Sequence, residues 1–454
     1  MPESGRNGGG DDAGGPRMMY MVSSLDQLRM RVAAAQPGDT IVLADGTYSN
    51  PSAIVIDQKG TAAQPIVVAA QSIGGVTISG AAGLTFGSNA AYAEIRGFRF
   101  THAAATNMPA GSHHCRLMRN VFNNSVAAGT RFVVVSGDDH EVGYNTFRDK
   151  SNEGMFLNIS GPGGAAMAQR TWAHHNYFLN FSPCGANNCG AVQIGLSGKS
   201  LTDAHAILEY NLFVNTRGEN EGALTSKVSS CIYRYNTFGA GAEELSLRHG
   251  NNVQVYGNFF IGSIGGMRIF GHNHRIYSNY FENNAKAINV GNGDCTIPPG
   301  ALTCHDKPVG VHITFNTLVN NQRNIFMTGR SGGLGAGNMV IANNIIQGGG
   351  MAGDFSGPMG GAMWEGNIIS GTSAGGLQGQ TTLDAKLVKE AGVFRLAADS
   401  PAIGKAVGNY PYAGEDMDRQ ARAGQKAPGA DEPSTSPSMN RPLTPEDVGP
   451  NAGL

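Results

Sequence analysis

One short pattern recurs along the middle of this chain and narrows what it can fold into. It appears as MRNVF ending at Phe122, GYNTF at Phe147, HHNYF at Phe178 and EYNLF at Phe213. It continues as RYNTF at Phe238, YGNFF at Phe260 and YSNYF at Phe281. FNTL at Leu318, NNII at Ile346 and GNII at Ile369 extend it, and IRGFRF ending at Phe100 is a degenerate first copy. The asparagines are Asn120, Asn145, Asn176, Asn211, Asn236, Asn258, Asn279, Asn316, Asn344 and Asn367, with shortest spacings of 21 to 25 residues. Longer spacings, 31 to 37 residues, imply loops inserted into a coil. A period of about 22 residues with strand-like alternation is one turn of a β-solenoid. Leucine-rich repeats share the period but need a leucine consensus that is absent here.

The repeated residues have physical reasons. Asn tolerates the left-handed backbone region at a tight corner, and stacked amides can hydrogen-bond as a ladder. The Phe, Ile or Leu two positions later has the same strand parity and stacks in the core. The predicted fold is therefore all-β: a right-handed, single-stranded parallel β-helix. About eleven coils at roughly 4.8 Å each give a rod about 50 Å long.

Ser24-Leu-Asp-Gln27 reads as a capping box opening a helix from Leu25 to Ala35, ended by Pro37-Gly38. Such a helix would cap the open end of the core. Residues 1–18 are Gly-rich and read as a disordered tail; 19–371 form the β-helix with its N-terminal cap. The Asn pattern then stops, so 372–432 are expected to form a C-terminal cap and 433–454, rich in Pro and Ser, a second disordered tail.

Composition excludes some partners. The 66 glycines suit many tight turns, and a formal net charge of −2 gives no pull toward nucleic acid or membrane. A polyanionic substrate would need a local basic patch. No run of eighteen apolar residues suggests a membrane span, and MPESGRNGGGDDAGGPRMM lacks the apolar core of a signal peptide. Cys184 with Cys189, and Cys295 with Cys304, lie in loop-like stretches and could pair in an oxidising compartment, secreted or periplasmic. Cys115 and Cys231 fall in strands and read as reduced core residues. A monomer is the default expectation.

The stretch from Gly218 to Arg268 carries the chemistry. Lys227, Arg248 and Arg268 recur 21 and 20 residues apart, one coil each. Leu224 and Val228, Leu245 and Leu247, and Met267 and Ile269 point inward, so the three cations point outward in a predicted column. Like charges that close favour an anionic ligand. Glu219 and Glu221 alternate on one edge, and with an amide from Asn187 or Asn188 they suit a hard cation such as calcium. His272 and His274 share a face beside Arg268. Tyr233 and Tyr235 either stack on sugars or pack between coils. Two rivals stand beside an anion-directed enzyme. A β-helix glycoside hydrolase would use Asp138-Asp139, although Gly137 favours a turn there. A non-catalytic polysaccharide-binding solenoid would use the cations only for grip.

The set GENE…SK, YNTF, LSLRHG, GNFF and GGMRIFGHNHRIYSNYF resembles polysaccharide lyase family six, whose members include alginate lyases and chondroitinase B. The resemblance covers most of residues 20–432. It implies Lys227 as general base, Arg248 as general acid, Arg268 and His249 as subsite residues, and Glu219, Glu221 and Asn187 as calcium ligands. Two departures stand out. Lys227 stands six positions after Glu221, one more than the family spacing, and NNCGAVQIG lacks the charged residues expected there. The implied reaction is β-elimination on a uronic-acid polysaccharide, with alginate preferred over dermatan-type glycans because no extra basic cluster for sulfates is present.

Overall fold

A computed structural model describes residues 17–186, 188–218, 222–296 and 304–454. The chain coils through three parallel sheets. Sheet I has 14 strands, from Met19–Val22 to Met363–Glu365; sheet II has 10, from Thr106–Met108 to Gly353–Phe355; sheet III has 14, from Gly46–Asn50 to Gln380–Thr382. From Thr106–Met108 to Gly353–Phe355 each full turn adds one strand to each. Leu245–His249 lies in sheet II, Gln254–Tyr256 in sheet I and Phe259–Ile261 in sheet III, and Met267–Ile269 returns to sheet II. This is the expected parallel β-helix. It has more coils than about eleven, because strands such as Thr40–Leu43 and Ile66–Ala70 pair in register without carrying the Asn motif.

The Asn ladder forms at the corner between sheets I and III. Each amide Nδ2, from Asn120 through Asn344, donates to the next asparagine's Oδ1 at 2.9 to 3.1 Å. All ten asparagines are buried. The left-handed residue is not the Asn but the one before it: Arg119, Tyr144, His175, Tyr210, Tyr235, Ser278 and Phe315 have φ of 51 to 57°. That residue turns the chain, which frees the Asn to aim both its backbone N–H and its Nδ2 at one oxygen on the next coil. Phe100, Phe122, Phe147, Phe178, Phe213, Phe238, Phe260 and Phe281 stack beneath with centroids 4.6 to 5.1 Å apart.

The N-terminal helix, α1, spans Leu25–Ala33 and buries Leu28 and Val32 on the end of the core. Ser24 Oγ accepts from the Gln27 N–H at 3.2 Å, while the Gln27 side chain accepts from the Ser23 N–H at 2.9 Å. The capping box is thus closed one residue early.

Two boundary expectations change. Residues 372–432 do not simply close the far end: after the Leu387–Glu390/Val393–Leu396 hairpin they fold back along the side of the rod. Lys389 pairs with Glu282, the Phe394 N–H donates to Tyr280, and Tyr235 donates to Glu415. Residues 433–454 are an ordered strap, not a free tail. The Asn440 amide donates to Gly257 O, the Leu443 N–H to Thr237, the Gly449 N–H to His175 O, and Arg119 to Pro450 O and Ala452 O. Proline and serine lower intrinsic order, but here the strap's polar backbone finds partners on the corner of the rod. Residues 1–16 of the N-terminal tail lie outside the described residues.

Candidate active site

Sheet II positions the candidate residues. Leu224, Leu245, Leu247, Met267 and Ile269 are buried inward, so the alternation of a strand turns their neighbours outward. The outward row runs Asn158, Gln193, Thr225, Ser246, Arg268, Asn289 in register. Arg268 therefore stands in line with Ser246 and Thr225. Lys227 and Arg248 lie two residues further along their strands, so the three cations do not form one column. The strand spacing of about 3.3 Å per residue separates the two rows by about 7 Å.

The pairing also slips. Thr225 faces Ser246 and Ser226 faces Leu247, but Lys227 faces His249. Lys227 is only 7% exposed and His249 1%. Burial lowers the His249 pKa to about 3, with Arg248 and Lys227 adding to the effect, so this imidazole is neutral at ordinary pH. Burial, together with the half-buried Arg248 and Arg330, lowers the His305 pKa to about 4.

Arg268 is held through one nitrogen of its guanidinium. Its Nε lies 3.0 Å from Ser246 Oγ and 2.8 Å from Glu244 Oε1. Beside it a groove of ≈ 530 Å³ opens between Gly218, Gly222, Glu244, Arg268, Lys286 and Asn289. Burial and the neighbouring Glu244 raise the Glu243 carboxyl.

His305 and Asp306, from the long spacing between Asn279 and Asn316, lie near Arg248 and His249. Both expected disulfides are present, Cys184–Cys189 and Cys295–Cys304, and Cys115 and Cys231 are buried free thiols. The second disulfide ties the insertion beside the site. His272 Nε2 lies 3.2 Å from Asp306 Oδ2, and this partner raises the His272 pKa. Arg330 Nη1 bonds Asp294 Oδ2 and His305 Nδ1, both at 2.6 Å, and the His305 ring leans on Phe270. His305, Asp306, Arg330, Glu244 and Lys286 were not singled out from the sequence. The 37-residue spacing from Asn279 to Asn316, with a cysteine pair inside it, was the available signal for the first two.

Other sequence candidates fall elsewhere. Tyr233 belongs to sheet I, is fully buried, and donates to Ser226 Oγ at 2.8 Å. It packs between coils and offers no face to a sugar. His274 is buried with Nε2 2.8 Å from Phe270 O. Asp139 is bound bidentate by Arg170 at 2.6 and 2.8 Å, and Asp138 accepts the Gln169 N–H. That pair is a turn, so the hydrolase reading loses its carboxylates. Glu219, Glu221 and Asn187 lie outside the described residues; the flanking Gly218 and Gly222 line the Arg268 groove. Two in-register oxygens of the outward row, Gln193 Oε1 and Thr225 Oγ1, are buried without a hydrogen-bond partner among the described residues. Oxygen donors of that kind fit a hard cation.

The coiled fold agrees with the comparisons. The family model for chondroitinase B matches residues 22–333. The chain belongs to that family, polysaccharide lyase family six. Among solved structures, alginate lyase AlyGC of the same family superposes with a TM-score of 0.73 at 22% identity, covering 83% of this chain and 55% of that one. A mannuronic acid specific family six lyase from human gut microbiota gives 0.68 at 24% identity over 78% of this chain and 86% of that one. The family six lyase Pedsa3628 from Pseudopedobacter saltans gives 0.65 at 19% identity over 96% and 100%. At these identities the likeness establishes the fold, and this chain spans about half the length of AlyGC. No curated protein sequence matches the chain.

Proposed function

We propose that this protein cleaves a uronic-acid polysaccharide, alginate in the first instance, by β-elimination. The observation that carries the reading is that Lys227 and Arg248 stand on adjacent strands of sheet II beside a neutral, buried His249. Family membership and the names of the alginate lyases that share its fold support the substrate class. In the reaction, Lys227 Nζ takes the C5 proton of the uronate. The C5 electron pair forms the C4–C5 double bond as the C4–O4 bond breaks. Departing O4 develops negative charge beside Arg248 and gains a proton there, with His249 or water as the relay, since guanidinium gives up a proton reluctantly. Arg268 pairs with a uronate carboxylate, which stabilises the charge that spreads onto it when C5 loses its proton. The products are a 4,5-unsaturated uronate end and a new reducing end.

Calcium, if bound by Glu219, Glu221 and Asn187, would supply further neutralisation of that carboxylate. Two disulfides support a secreted or periplasmic setting.

The test follows ultraviolet absorbance of the unsaturated product on alginate, its homopolymeric blocks and dermatan sulfate. Lys227→Ala and Arg248→Ala should each lower the rate by about 10²–10⁴-fold. Undiminished product from Lys227→Ala would remove it as the base. A chelator should depress the rate if the carboxylates hold calcium; an unchanged rate takes calcium out of the reaction.

A further inference from the structure

Around the corner from this groove, sheet I carries a second recess. Gln254, Arg275 and His312 are in register on three adjacent strands, and with Asn252, Asn273 and Gly310 they enclose ≈ 400 Å³. The turn after His249 leads directly to Asn252, so the recess opens on a different face of the rod from Lys227. Its chemistry is one-sided. No carboxylate lines it. Arg275 is exposed and has no acidic partner among the described residues. Asn252, Gln254 and Asn273 likewise spend no side-chain polar atom on a protein partner among those residues.

The folded-back C-terminal segment packs Tyr412 against two of these lining residues. The Arg275 guanidinium lies 4.7 Å over the Tyr412 ring, and Tyr412 Oη is 2.8 Å from His312 Nδ1. Beyond Tyr412, Tyr256 and Tyr277 stack at 4.8 Å and border a smaller recess of ≈ 250 Å³. A cation for a carboxylate, amides for hydroxyls and ring faces for C–H surfaces are what an acidic sugar requires. We infer that this recess is a second, non-catalytic binding site for a uronate-bearing glycan, with Arg275 holding the carboxylate and Tyr412, which lines the adjoining smaller recess, backing the Arg275 guanidinium. The choice of glycan rests on the polyuronide reading above. A site on a separate face would keep the enzyme on a polymer between cleavage events, and the gain would be one of effective concentration.

Affinity electrophoresis tests this with full-length Lys227→Ala protein, expected to consume the probe about 10²–10⁴-fold more slowly, in gels containing alginate, dermatan sulfate or neutral dextran. Retardation is expected in the alginate gel and not in dextran. Adding Arg275→Gln should weaken it about tenfold, and Gln254→Ala, on the opposite side of the recess, should weaken it too. In the otherwise unaltered enzyme, Arg275→Gln should leave turnover of short oligouronates unchanged and slow that of polymer. Equal retardation in dextran, or retardation unmoved by both substitutions, overturns the inference. Unsaturated product together with unmoved retardation sinks the second site and spares the lyase. Loss of retardation in Arg275→Gln with no unsaturated product from any polyuronide does the reverse.

Discussion

Lys227 sits beside His249 because the ladder slips between Ser226 and Lys227. Regular pairing would have set Lys227 opposite Arg248, two like charges one strand apart, an arrangement that destabilises a sheet. The slip puts a neutral imidazole there instead. The neighbouring His272 behaves oppositely, because the Asp306 carboxylate holds its proton and raises its pKa. A raised folded-state value stabilises the fold at pH below the unfolded histidine value of about 6.5, and the contribution disappears as pH rises through the folded value. Asp306→Asn should therefore lower the His272 pKa, read by NMR titration, and its cost in Tm should be greatest on the acid side and shrink in alkali. A His272 titration unmoved by this substitution would break the pairing.

The Asn ladder is the device that holds successive coils in register. Asn211 donates to Ala173 O, Glu209 O and Asn236 Oδ1, and accepts from Asn176. Asn211→Ala should cost about 3 kcal/mol in urea unfolding, because it strands buried partners on two coils. A loss below about 1 kcal/mol would show that water or a shifted coil replaces the amide. The loops obey a different rule. They enter where Asn spacing lengthens, and they wall the sheet II groove without disturbing the ladder, since their ends rejoin adjacent coils. The strap at 433–454 then runs back over the same corner, bonding Gly257, Thr237, His175 and Arg119 in turn.

The whole rod should be acid-sensitive. His102, His140, His175, His274 and His305 are held at about 4 and His249 at about 3, with burial the largest cause each time. Unfolded histidines take up protons near 6.5. Between there and about 4 the unfolded chain binds more protons than the folded one, so stability falls as pH falls. Calorimetry should show Tm dropping steeply from pH 6.5 to 4, with little change from this source above pH 7. A flat Tm through that window would mean these rings are protonated in the fold.

The repeat of Asn and Phe determined the β-helix, because each coil must bury the same ring and pair the same amide as the coil before it. The phase of a single strand likewise predicted that Arg268 stands between the inward Met267 and Ile269, since alternation is local. What alternation cannot carry is register between coils. The slip at Lys227 and the two-residue offset of Arg268 arise from inter-strand pairing, so the expected single column dissolved into two rows. The left-handed corner moved from Asn to its predecessor for a similar reason: ladder geometry, not the preference of an isolated residue, assigns the bend. Tyr233 shows the limit from the other side, because which sheet a strand joins decides whether a tyrosine meets core or solvent. Only the tertiary fold brought His305, Asp306 and Arg330 against the site, and Tyr412 against Arg275, since those contacts join segments whose separation in sequence carries no period.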